Sequence, residues 1–140
     1  MLTIRNIIKS FILINLLTGC TKRQFTVQDL KKVLPYTSYE TVTSIPGLAF
    51  HSEEIPEYRI QTDNLTCYFL EDKRSSLIIP DESAKLLKYL LTEEQFKEAM
   101  IKYEEFKKDE NTAASTYYYG SYEVWFIYSN SDDACIQVYM

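Results

Sequence analysis

The run Tyr122-Glu123-Val124-Trp125-Phe126-Ile127-Tyr128-Ser129 decides the reading of this chain. Most of its residues are aromatic or β-branched, and strict alternation puts Tyr122, Val124, Phe126 and Tyr128 on one side and Glu123, Trp125 and Ile127 on the other. A strand that is apolar on both sides belongs inside a sheet, with a second layer over one face. Thr116 to Tyr119 and Ala134 to Met140 flank it as two further strands, joined at Gly120-Ser121 and at Asn130 to Asp133.

Upstream, Tyr58 to Thr62 and Leu65 to Glu71 are strand-like and separated by Asp63-Asn64, the signature of a tight hairpin. Leu77 to Ile79 is another short apolar run, Leu48 to His51 is a candidate strand start, and residues 35 to 47 read as irregular. Helical spacing is confined to three places. Thr26 and Asp29 fit an N-cap, with Val27, Leu30, Val33 and Leu34 on one face of about two turns ending at Pro35. Asp81 is placed to cap a helix from Glu82 to Leu91 with Ala84, Leu87, Leu90 and Leu91 inward. Thr92 and Gln95 then form a capping box that starts a separate helix bearing Phe96, Ala99, Met100, Tyr103 and Phe106 at core spacing. Its acid-first pairs Glu93/Lys97, Glu98/Lys102 and Glu104/Lys108 describe a solvated face. The expected architecture is α+β: an antiparallel sheet of about five or six strands with two or three helices packed on one face.

The first twenty residues have a different character. Arg5 and Lys9 precede an apolar run from Phe11 to Leu17, which Asn15 interrupts and which is about a third of the roughly 20 residues a membrane-spanning helix needs. A basic start, a short apolar centre and small residues at its end describe an export signal that is cut off. Leu17-Thr18-Gly19-Cys20 resembles, position by position, the end of a bacterial lipoprotein signal. That resemblance covers the leader alone. It implies cleavage before Cys20, a diacylglyceryl group on its sulfur and, usually, an acyl chain on its amine, which together exceed the two signals needed for stable anchoring. It divides the chain into a signal peptide over residues 1–19, a lipidated tether over 20–24 and a single domain over 25–140. Thr21 after the cysteine, rather than aspartate, favours the periplasmic face of the outer membrane by the same resemblance.

Removing the leader takes Arg5 and Lys9 from the 15 basic residues, leaving 13 against 20 acidic ones and a formal net charge of −7. Such a balance argues against nucleic acid as a partner and suits a basic protein better, while solubility alone is explanation enough for it. Of the three cysteines, Cys20 is assigned to lipid, which leaves Cys67 and Cys135 either as a disulfide, favoured by an exported setting, or as buried thiols. No metal-ligand cluster, cofactor motif or phosphate-cradling glycine loop is present.

Candidate sites are few. The chain has 12 tyrosines, and the run Tyr117, Tyr118, Tyr119 with Tyr122 offers a partner surface, since tyrosine gives stiff contact area with a polar tip. Alternation requires at least one of the consecutive three to be exposed; the competing reading is ordinary sheet core. His51, the sole histidine, followed by Glu53 and Glu54, fits a general base less well than a strand-end surface residue, and no nucleophile accompanies it. The acid pairs Glu104/Glu105 and Asp132/Asp133 lack calcium-ligand spacing. The function expected is a lipid-anchored envelope binding protein without catalytic activity, in one form an inhibitor or immunity protein against a basic partner. The alternative is a structural accessory of an envelope or secretion assembly.

Overall fold

A computed structural model describes residues 24–36, 38–42, 45, 57–72 and 74–140. The leader, Cys20, the candidate strand at Leu48 to His51, His51 itself and Glu53/Glu54 lie outside the described residues.

Among the described residues seven strands form one antiparallel sheet: β1 (Ser38–Thr41), β2 (Glu57–Thr62), β3 (Leu65–Leu70), β4 (Ser76–Pro80), β5 (Ala114–Tyr119), β6 (Tyr122–Tyr128) and β7 (Ala134–Tyr139). Their order is β1-β2-β3-β4-β7-β6-β5, two meanders joined where β4 meets β7. The α+β class is as expected, with one or two strands more. The addition is β1, inside the stretch read as irregular. All four of its residues are exposed, so it has no apolar alternation to announce it, and pairing with β2 rather than burial makes it a strand.

Both tight hairpins form as the sequence demands. Asp63 and Asn64 adopt φ of 51° and 63°, the left-handed pair of a type I′ turn. Gly120 takes φ of 59° while Ser121 does not, the pattern of type II′. The strand β6 that opened the reading is internal, flanked by β5 and β7, one place in from the sheet edge.

Among the described residues three helical elements lie on one face. Helix α1 (Val27–Leu30) is a single turn, shorter than the two expected, with Thr26 and Asp29 closing its capping box. A 3₁₀ helix spans Asp81–Tyr89, where an α-helix was expected, and buries Ser83, Ala84, Leu86 and Leu87. Those positions repeat at three residues, the period of a 3₁₀ turn. Its cap differs too: Pro80 holds the N-cap position, and the Asp81 carboxylate is engaged elsewhere. Helix α2 (Glu93–Lys108) starts at the Thr92/Gln95 capping box and buries Ala99, Tyr103 and Phe106. Glu93–Lys97 and Glu98–Lys102 pair at 3.4 and 2.7 Å, whereas Glu104 pairs with Lys107 instead of Lys108. No helix among the described residues is long and apolar enough to cross a membrane.

Register assigns the two sheet faces. Phe69, Leu77, Val138 and Val124 stand opposite one another along one row, and Ile79, Ile136 and Phe126 along the next, with Ile60 opposite Cys67, all fully buried beneath the helices. Tyr103 and Phe106 of α2 pack on Phe126 with ring centres at 5.0 and 5.9 Å, and Phe106 reaches Tyr128 at 5.0 Å. At the other end Phe25, Phe69, Tyr58, Tyr39 and Tyr36 form a chain of ring contacts at 5.3 to 6.5 Å that fastens α1 and β1 to the sheet.

The same register corrects the expected disulfide. Cys67 and Cys135 are both free and both buried. Cys67, opposite Ile60, points into the helix-covered core, whereas Cys135, opposite Pro80 and Ile127, points to the other face, with β4 standing between β3 and β7. Side chains that leave a sheet on opposite faces from strands two apart cannot meet disulfide geometry.

Candidate functional site

The second face of the sheet carries the site. Among the described residues no helix packs there, and the register lays Leu70, Ser76, Tyr139, Glu123 and Tyr118 in one row and Tyr68, Ile78, Gln137, Trp125 and Thr116 in the next. Alternation places these residues outward because their neighbours in sequence fill the core.

Where β7, β6 and β5 adjoin, the side chains form a connected cluster. The indole N–H of Trp125 donates to Glu123 Oε1 at 2.7 Å. The guanidinium of Arg74 pairs with the other oxygen, Glu123 Oε2, and lies 4.2 Å from the centre of the Tyr139 ring. Glu123 is therefore a shielded carboxylate, its side chain 12% exposed, with both oxygens engaged and Arg74 half-exposed above it. Tyr118, opposite Glu123 on β5, is 55% exposed, high for a large aromatic residue. Rings, an arginine and a sheltered acid are the residue types that anchor protein recognition.

The four tyrosines expected as one surface are divided between the faces. Tyr118 alone belongs to the cluster. Tyr117 is half-buried on the helix side, 5.3 Å from Phe126 and capped by Lys102 Nζ at 4.4 Å from its ring centre. Tyr119 is buried there, and Tyr122, opposite it, is half-buried, with burial raising its phenol pKa. Sequence reasoning had placed Glu123, Trp125 and Ile127 on a common side of β6 without treating that side as a surface. The available signal was an acid two residues before the only tryptophan, on a strand whose opposite face was already committed to the core. Arg74 carried no such signal, because its place over Tyr139 depends on the β4–β7 pairing.

Elsewhere, Tyr103, Asp81 and Lys107 form a second polar cluster, with Tyr103 Oη and Lys107 Nζ donating to Asp81 Oδ1 at 2.9 and 3.0 Å. Burial, reinforced by Asp81, holds the Tyr103 phenol far above its ordinary pKa, so it remains a proton donor to the carboxylate. It ties the 3₁₀ helix to α2. A concavity of about 240 Å³ between Ser38, Glu40, Arg59 and Gln61 is crossed by the Arg59–Glu40 ion pair. No group of three or more His, Cys, Asp and Glu side chains suited to a metal ion occurs among the described residues.

No protein-family model, curated protein or solved structure matches this chain.

Proposed function

We propose that this chain is a lipid-anchored cell-envelope binding protein without catalytic activity, an inhibitor or immunity protein that engages a basic protein partner through the Tyr118, Glu123, Trp125 and Tyr139 face. The observation that carries the reading is the exposed Tyr118 ring beside the Glu123–Arg74–Tyr139 stack. Arg74 over Tyr139 is an intramolecular cation–π contact. The neighbouring Tyr118 ring offers the same chemistry to a lysine or arginine of a partner. The acidic balance of the chain steers such a partner inward, and fatty chains on Cys20 hold the domain where it would be met.

The test has two arms. A Cys20→Ala protein is expected to lose palmitate labelling and membrane fractionation; unchanged labelling would contradict the anchor. Capture of a basic envelope protein by the parent is expected to fall as salt rises, and to fall about tenfold in Tyr118→Ala, equivalent to ~1.4 kcal/mol. Capture that ignores both salt and Tyr118 would contradict the recognition mode.

A further inference from the structure

We infer that the outer edge of β5 pairs with β5 of a second copy of this chain, across a two-fold axis at Thr116, to make one continuous sheet. Among the described residues nothing pairs with that edge, since β5 ends the sheet order. Protein sheets ordinarily protect such an edge with charge, proline, a bulge or shortness. The opposite edge, β1, does so: it is four residues long and presents Glu40, paired with Arg59. Strand β5 has six residues, Ala114-Ser115-Thr116-Tyr117-Tyr118-Tyr119, with no charge and no proline, in unbroken register with β6.

The turn sets which backbone groups are free. A two-residue loop closes on a pair that exchanges both ladder hydrogen bonds, here Tyr119 and Tyr122. By alternation Tyr117 and Ser115 also direct their N–H and C=O groups to β6, so those of Ala114, Thr116 and Tyr118 point away from the sheet. A dyad perpendicular to the sheet at Thr116 lets these same groups pair, Thr116 with its own copy and Ala114 with Tyr118 of the other chain. The side chains agree with that register. Two exposed Tyr118 rings fall over two exposed alanines, large against small, on the recognition face. On the helix side Tyr117 falls against Ser115.

Thr116 supplies an independent reason for the axis. Among the described residues its hydroxyl is shielded from solvent and has no hydrogen-bond partner. A rotation about χ1 turns it to the dyad, where two threonine hydroxyls satisfy each other. Charge selects a second copy over a basic strand, because the uncharged edge gives a cation nothing to pair with and adds no like-charge repulsion to self-pairing. There is also room. Helix α2 packs over β6, and β6 and its copy would be three strand spacings apart, about 14 Å, beyond the 8–10 Å of close helix contact. Pairing would bring the two Trp125 faces onto one surface, doubling the area offered to a partner.

The test uses full chains carrying Ala114→Cys or Tyr118→Cys, both at exposed positions, oxidised mildly with copper phenanthroline and read on a non-reducing gel. Mixed, the two are expected to give a disulfide-linked dimer. Alone, each gives roughly tenfold less, since equivalent positions are four residues, about 14 Å, out of register. A mixture that crosslinks no better than either chain alone would overturn the proposal. So would a crosslinked yield left unchanged when Thr116→Lys, which sets like charges on the axis, is added to both chains and circular dichroism shows them folded.

Discussion

Tyr103 Oη donates a 2.9 Å hydrogen bond to Asp81 Oδ1, and through it the middle of α2 is bonded to the first residue of the 3₁₀ helix. The tyrosine is fully buried against Phe106 and Phe126, so the bond acts where its loss is felt. Tyr103→Phe keeps the packing and removes the donor, and is expected to destabilise the domain by about 1 to 3 kcal/mol, the range for a bond to a charged acceptor. Tyr103→Ala adds a cavity and is expected to cost about 3 to 5 kcal/mol. Urea unfolding measures both; equal midpoints for Tyr103→Phe and the parent would refute the role.

The thiols make a chemical prediction. Burial pushes Cys67 up to about 12 and Cys135 to about 11, so neither offers a reactive thiolate at neutral pH. The folded protein is expected to resist iodoacetamide at both positions and to label at both after denaturation, with the same melting temperature with and without reductant. A Cys67–Cys135 disulfide peptide in a mass spectrum would show the sheet register to be wrong.

The same burial fixes a pH dependence. The folded-state pKa of Cys67 lies above its ordinary value of 9.0, so the neutral thiol's contribution is fully present below pH 9 and is lost as pH rises toward about 12. The buried Tyr103 phenol, also raised by burial, acts in the same direction. Unfolding free energy is therefore expected to decline from about pH 9 upward, and Cys67→Ala is expected to flatten part of that decline. A parent curve that is level through pH 11 would contradict the burial of both groups.

Gly120 tests the hairpin that carries the site. Its φ of 59° is a backbone state L side chains resist, and a Cβ there would meet nothing within 4 Å. The cost of Gly120→Ala is therefore conformational alone, about 1 to 2 kcal/mol, and Gly120→Asn is expected to cost less because asparagine tolerates this region. Chemical denaturation ranks the three; an alanine variant as stable as the parent would exclude the type II′ turn.

Much of the fold was legible because its determinants are local. The Thr26/Asp29 and Thr92/Gln95 boxes, the Asp63-Asn64 and Gly120-Ser121 turns, and the alternation of β6 each act within a few residues, and each is found in the structure. What escaped depends on distant pairing. Ser38–Thr41 becomes a strand only because β2 lies beside it, and residues 81–89 wind as a 3₁₀ helix while Asp81 is held by Tyr103 and Lys107. The candidate site follows this division: the row of Glu123 and Trp125 was readable from β6, but Arg74 and Tyr139 join it only through β4–β7 pairing and the chain order β4-β7-β6.

The recognition face is tested most directly by placing a photo-crosslinking amino acid at Ile127, beside Trp125 on that face, and comparing it with Ile101, exposed on α2. In intact cells the Ile127 variant is expected to capture a basic envelope protein that the Ile101 variant does not, with the adduct weakened when Tyr118→Ala is added. Identical adducts from both positions, or adducts from Ile101 alone, would contradict recognition through the Glu123–Trp125 face of the sheet.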